Sequence, residues 1–137
     1  MASILKVDTI TGVATAGSIA VTGEGNSTTT NLQQGLGKAW CNFDGSGTAS
    51  ITDSFNVSSL SDGGTGDYTH TFTNSMANGT YTLGGACHDD GGNFGLFVTI
   101  KSNTGLATGT CKTYILNHSN SVRDPDIGTF AIHGDLA

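Results

Sequence analysis

YTHTFT, residues 68–73, is a strand written in two faces. Tyr68, His70 and Phe72 fall on one side of a period-two alternation, and Thr69, Thr71 and Thr73 on the other. Successive side chains of a strand point to opposite faces, so the pattern describes a half-buried strand with a threonine-covered outer surface. Turn signals flank it: SDGGTGD at 61–67 and NSMANG at 74–79.

The same grammar extends in both directions. Upstream, Ala39, Cys41 and Phe43 alternate with Lys38, Trp40 and Asn42, and DGSG at 44–47 is a strong turn. Ile51, Phe55 and Val57 follow on one phase, broken near Asp53. Downstream come Tyr81 and Leu83, and then GGNFG leads into Phe94, Leu96, Val98 and Ile100, the strongest core strand of the chain. Thr110 to Asn117 carries Tyr114 and Leu116, and Phe130 with Ile132 forms a closing strand. That makes about seven or eight short strands joined by Gly-rich turns, the signature of an all-β antiparallel sandwich or jelly-roll-like domain. No stretch alternates a strand with an amphipathic helix, which argues against α/β classes.

Composition agrees. The 137 residues include 21 glycines and one proline, and 12% are charged. Thr, Ser and Asn supply most of the polarity, as expected of pleated surfaces joined by tight turns. The net charge is −6, and the five basic residues Lys6, Lys38, Lys101, Lys112 and Arg123 are scattered. Nucleic-acid binding needs clustered cations, so no nucleic-acid partner is expected, and an anionic membrane surface is disfavoured on the same ground. There is no run of about 20 apolar residues, so membrane insertion is not expected. MASILKVDTI has no basic segment followed by an apolar one, so no signal peptide is expected. Cys41, Cys87 and Cys111 are odd in number and widely spaced, which favours reduced, mostly buried thiols over a disulfide.

A seam lies near Gly35–Gly37 and divides the chain into an extended N-terminal segment, 1–37, and a β-domain, 38–137. In the leader, Ile4, Leu5, Val7 and Ile10 form one apolar patch, and Ile19 with Val21 a second. STTTNLQQGL at 27–36 closes with one expected helical turn over Leu32 and Leu36. Burying apolar area stabilises by about 25 cal/mol per Å². Ordering a residue costs about 1–2 kcal/mol of backbone entropy. So few Ile, Leu and Val side chains cannot order the leader alone, and Ile4, Leu5, Val7, Ile10, Ile19, Val21, Leu32 and Leu36 are the expected assembly contacts with other chains.

Residues with chemical potential are sparse. His88-Asp89-Asp90-Gly91-Gly92 offers two adjacent carboxylates, which on a strand point apart, whereas Ca²⁺ takes six to eight oxygens. The better reading is a solvated Asp-Gly turn. Asp124-Pro125-Asp126 reads as a shaped loop before the last strand, with Arg123 placed for a local ion pair. His70, His88, His118 and His133 never occur as H-x-H or H-x₃-H, so no zinc site is expected. His70 and His133 lie within strands and should face a hydrogen-bonded interior or an interface. No nucleophile elbow or phosphate-binding loop exists, and GGTG and GEGN have no helix behind them. No catalytic residue, cofactor or metal is therefore expected. Trp40 reads as a half-buried structural residue whose face is otherwise a subunit contact or a sugar-stacking surface. Trp40, Tyr68, Tyr81 and Tyr114 are the candidates for contact with a surface ligand such as a host glycan.

Several blocks resemble bacteriophage tail-fibre or related virion-appendage proteins, especially those of marine phages. ILKVDTITGVATAGSIAVTGEG at 4–25 is similar to their N-terminal segments. NLQQGLGKAWCNFDGSG at 31–47 and ITDSFNVSSLSDGGTGDYTHTFTNSM at 51–76 resemble the domain that follows, and IGTFAIHGDLA at 127–137 its closing strand. The resemblance implies a non-enzymatic structural protein of the virion, a homotrimer whose partners are other virion proteins of the tail or capsid. Large fibres carry long shafts and this chain has none, which leaves a stubby tail fibre and a small capsid fibre as alternatives. A capsid decoration protein, a glycan-binding module and a small depolymerase are the competing readings.

Overall fold

Among the described residues, strand-forming runs cut by glycine-rich turns build an all-β architecture, with one helical turn as the exception. The computed structural model describes residues 5–12, 19–22, 28–92 and 95–137. By its internal contacts the chain divides into two units, Met1–Leu36 and Gly37–Ala137. The expectations placed on Ile4 and Phe94 lie outside the described residues.

The first unit holds one small hairpin. Strand β1 (Ala20–Thr22) pairs antiparallel with β2 (Thr29–Asn31), with Val21 opposite Thr30. Helical turn α1 (Leu32–Gly35) follows directly. Asn31 caps it, its side-chain oxygen accepting from the Gln34 N–H at 3.0 Å. The Leu32 N–H donates to the Ile19 carbonyl at 2.8 Å, tying the turn to the first strand. Residues 5–12 adopt no regular element.

The second unit contains two four-stranded antiparallel sheets. Its strands are β3 (Ala39–Asp44), β4 (Ser50–Phe55), β5 (Val57–Asp62), β6 (Asp67–Phe72), β7 (Thr82–His88), β8 (Phe97–Ile100), β9 (Thr110–Leu116) and β10 (Ile127–His133). One sheet runs β4-β3-β10-β7 and the other β5-β6-β9-β8. Tyr68, His70 and Phe72 are buried and Thr69 and Thr71 are half-exposed, as the alternation requires.

Both sheets feed one core. Ala39, Cys41, Phe43, Phe130 and Ile132 come from the first sheet, and Val57, Tyr68, Phe72, Cys111 and Ile115 from the second. Rings interlock across them: Phe43 meets Tyr68 at 5.0 Å between centroids and His70 at 5.1 Å, and His70 meets Phe130 edge-on at 4.5 Å. Such pairs each add about 0.5–1.5 kcal/mol beyond the area they bury.

The chain crosses from one sheet to the other between β4 and β5, and here the sequence pattern misleads. Ile51 and Val57 both pack on the core, but Phe55 does not share that side with them. The register of β4 against β3 slips between Asn42 and Phe43, so Phe43 lies opposite Ile51 while Trp40 lies opposite Phe55. The bulge turns Phe55 outward, 52% exposed, while Ile51 stays half-buried. Asn56 then takes a left-handed backbone, φ 58°, and returns Val57 to the core. Its amide bolts the corner, donating to the carbonyls of Lys38 and Asn74, both at 3.0 Å, and accepting from the Asn74 N–H at 2.7 Å.

Candidate functional site

The assembly residues expected in the leader are largely uncovered. Leu5, Val7 and Ile10 are 82%, 52% and 58% exposed, and Val21 and Leu36 are also exposed. Ile19 and Leu32 are half-buried, consistent with the backbone bond that joins them. Apolar side chains of this size gain about 1.5–3 kcal/mol each on full burial, so the leader holds that stabilisation unused.

A loop cluster gathers at the end of β7. His88 Nδ1 lies 3.5 Å from Asp90 Oδ1. Asp126, from the loop before β10, reaches the same place, and one ligand atom from each of His88, Asp90 and Asp126 lies within 4.8 Å of the others. Asp89 is not part of the group: its carboxylate accepts from the Gly91 N–H at 2.6 Å, shaping the turn. Sequence spacing missed Asp126 because it lies 36 positions from Asp90, joined to it only by the fold. His88 and Asp90 are exposed, and an imidazole with two carboxylates is fewer ligands than Ca²⁺ takes.

The neighbouring Asp124 has a structural task. Its Oδ1 accepts from the Tyr68 hydroxyl at 2.8 Å and from the Gly66 N–H at 2.7 Å. Gly66 sits at φ 67°, and a Cβ there would meet the Ile115 carbonyl and the Arg123 backbone, so the turn into β6 requires glycine. Arg123 turns its guanidinium to the Val122 carbonyl. The turn residues Asp124 and Gly66 thereby seat the ring of Tyr68 in the core. Burial first, and then the Asp124 carboxylate, raise the Tyr68 hydroxyl far above the ordinary tyrosine range.

That placement decides the fate of the aromatic candidates. Tyr68 is fully buried against Phe43, so it offers no face to a surface ligand. Tyr81 is buried too, packed on Phe72 with its hydroxyl donating to Ala107 and Thr110 carbonyls at 3.1 and 3.0 Å. Their burial removes both from the set of surface contacts. Tyr114 is half-exposed, with the Lys101 ammonium 5.3 Å from its ring centre and that ammonium paired to Asp67. Trp40 is 39% exposed on the outer face of its sheet, beside Phe55.

The remaining titratable groups of the core are inert by design of their surroundings. His70 is fully buried, and its Nε2 lies 3.2 Å from the Thr113 hydroxyl. Nδ1 has no hydrogen-bond partner among the described residues. Burial lowers the imidazole to about 4, so it is neutral at physiological pH. Cys41, Cys87 and Cys111 are free thiols. Burial pushes Cys41 to about 11, with a smaller push from Asp53, and Cys111 to about 12. Neither offers a thiolate near neutral pH. His133 is exposed rather than interior. No helix among the described residues is long and apolar enough to cross a membrane.

No family model matches the chain, and neither the curated proteins nor the solved structures contain a match to it.

Proposed function

We propose that the chain is a structural component of a bacteriophage virion, a short trimeric fibre or appendage of the tail or capsid. Its N-terminal segment anchors it, and its β-domain faces solvent or the host surface. The observation that carries this reading is the exposure of Leu5, Val7, Ile10 and Val21 among the described residues. Apolar side chains left exposed in this way are suited to burial against another subunit. The resemblance of residues 4–25, 31–47, 51–76 and 127–137 to phage appendage proteins points to the same role.

The β-domain suits that role as a rigid, non-enzymatic head. We read its two sheets as a jelly-roll-like sandwich. β10 lies between β3 and β7 in one sheet, so the last strand is wound between two earlier ones, and β9 lies between β6 and β8 in the other. That winding ties the last strand of the β-domain to its first, β3.

Light scattering of the full chain at micromolar concentration tests the trimer. The expected mass is three times the chain's 13.9 kDa. A stable monomer would contradict the reading.

A further inference from the structure

The turn NSMANG at 74–79 ends on Asn78-Gly79, the only Asn-Gly pair in the sequence. Asn78 is exposed and lies outside the strands, in the connection between β6 and β7. One residue holds its side-chain oxygen: Oδ1 accepts from the Thr80 N–H at 2.9 Å and from the Thr80 hydroxyl at 2.5 Å. Gly79 is half-buried, and a Cβ built on it would lie 2.6 Å from the Leu106 carbonyl oxygen, so only glycine fits there. Among the described residues no hydrogen bond engages the Gly79 N–H.

We propose that Asn78 is an autocatalytic deamidation site, that the two Thr80 donors promote the reaction in the folded protein, and that conversion loosens the C-terminal residues 135–137. The reaction is an acyl transfer within the chain, with water as its one co-reactant. A solvent base takes the Gly79 N–H proton, and the nitrogen attacks Asn78 Cγ, which the chain holds next to it. Gly79 has no side chain to obstruct the approach. Negative charge develops on Oδ1, the atom that the Thr80 N–H and hydroxyl already address, so these donors act as an oxyanion site. The Cγ–Nδ2 bond then breaks, and ammonia leaves with a proton from solvent. The ring that remains is a succinimide. Water opens it at either carbonyl and gives aspartate or isoaspartate. The balance is one amide NH₂ exchanged for one OH, with nothing oxidised or reduced.

The consequence follows from what the turn holds. The Ala77 N–H donates to the Asp135 carbonyl at 2.8 Å, and the Ala137 N–H to the Ser75 carbonyl at 2.9 Å. Met76 pairs with Leu136 between them, and Leu136 packs on the core. On the other side the Met76 N–H donates to the Thr108 carbonyl at 2.8 Å, and the Tyr81 hydroxyl to that of Ala107. Isoaspartate lengthens the main chain by one methylene between Ala77 and Gly79, and it adds a carboxylate. With Gly79 pressed on Leu106, the added length has to be taken up on the side that holds the C-terminus. This chemistry needs no partner chain, so its test stands apart from that of the proposed assembly.

The full chain is incubated at pH 8, folded in buffer and unfolded in urea, and peptide mass spectrometry follows Asn78 through loss of ammonia and uptake of water. Conversion is expected in both states, and more slowly at pH 6, where less base is present. Thr80→Val keeps the N–H donor and removes the hydroxyl. In the folded protein it should slow conversion about tenfold, less than the loss of an enclosed oxyanion donor because this one faces solvent. In urea it should change nothing, and Thr80→Ser should restore the folded rate. Circular dichroism checks folding, and Thr80→Ala decides should the valine variant not fold. The isoaspartyl form should lose its C-terminal residues to carboxypeptidase faster than fresh protein. Asn78 intact in the folded chain while it converts in urea would overturn the site. A folded Thr80→Val or Thr80→Ala that converts at the wild-type rate would overturn the role of the hydroxyl. An isoaspartyl form whose C-terminus stays as protected as before would overturn the loosening.

Discussion

Lowering the pH should destabilise this protein through one core histidine. His70 is fully buried between Phe43 and Phe130, and burial holds its imidazole at about 4 against an ordinary 6.5. Below pH 6.5 the unfolded chain takes up a proton at this residue that the folded chain refuses. Stability is therefore full above pH 6.5, falls as the pH drops, and stops falling near pH 4, where the folded state is protonated too. The complete loss is about 3 kcal/mol, at about 1.4 kcal/mol per unit. Between pH 7 and pH 5 the loss is about 2 kcal/mol, a large part of a domain's 5–15 kcal/mol. Urea unfolding followed by circular dichroism at fixed protein concentration measures it, and His70→Gln is the reference. Glutamine keeps a polar partner for Thr113 but has no proton to gain. The variant will start less stable, having lost two ring contacts, so the slope with pH rather than the level is decisive. The groups that face His70 — the Phe43 and Phe130 rings, the Thr113 hydroxyl and its register partner Cys111 — stay neutral across this range. A wild-type slope between pH 7 and pH 5 no steeper than that of His70→Gln would refute the reasoning.

Three further outcomes follow from the packing. Asn56→Ala removes the corner's three hydrogen bonds and places a Cβ-bearing residue without Asn's tolerance at φ 58°, so it should lower stability by about 2–4 kcal/mol. Asn56→Gly keeps the backbone freedom and should lose less, which chemical denaturation of the pair will show. Gly128→Ala drives a methyl group into the Phe43 ring, itself wedged between Tyr68 and His70, at a cost of about 1–3 kcal/mol and a melting temperature lower by roughly 5–15 °C. In native protein a thiol reagent should label half-buried Cys87 well before Cys41 and Cys111, and all three at once in urea; early labelling of Cys111 would contradict its burial in the core between the sheets.

Much of the fold is written locally. The alternation of Tyr68, His70 and Phe72 with threonines places β6 and both its faces, and the same logic locates β3 and β10; β9 is found where expected but buries Cys111, Thr113 and Ile115 rather than Tyr114 and Leu116. The helical turn at Leu32–Gly35 is signalled by its Asn31 cap. What the pattern misses are events that change phase. A bulge in β4 and a left-handed Asn56 move Phe55 to the outer face, and nothing in ITDSFNVSS announces either, because each depends on which strand pairs alongside.

Sites made by distant segments were equally hidden. Asp126 joins His88 and Asp90, and Asp124 receives Tyr68, only after β10 is laid beside β7 and β3. The aromatic candidates divided for a simpler reason. Tyr68 lies on the core phase of its strand, so its burial was legible in the alternation that defines β6, whereas Tyr81 precedes β7 and is drawn in by Phe72 and the carbonyls of Ala107 and Thr110.

The most direct test of the proposed virion role is a reconstruction of virions purified from the source of the chain. The proposed role predicts a threefold projection on the tail or capsid whose density fits the β-domain, with residues 5–12 at the end nearest the virion body. Intact, infectious virions that lack the chain would contradict it.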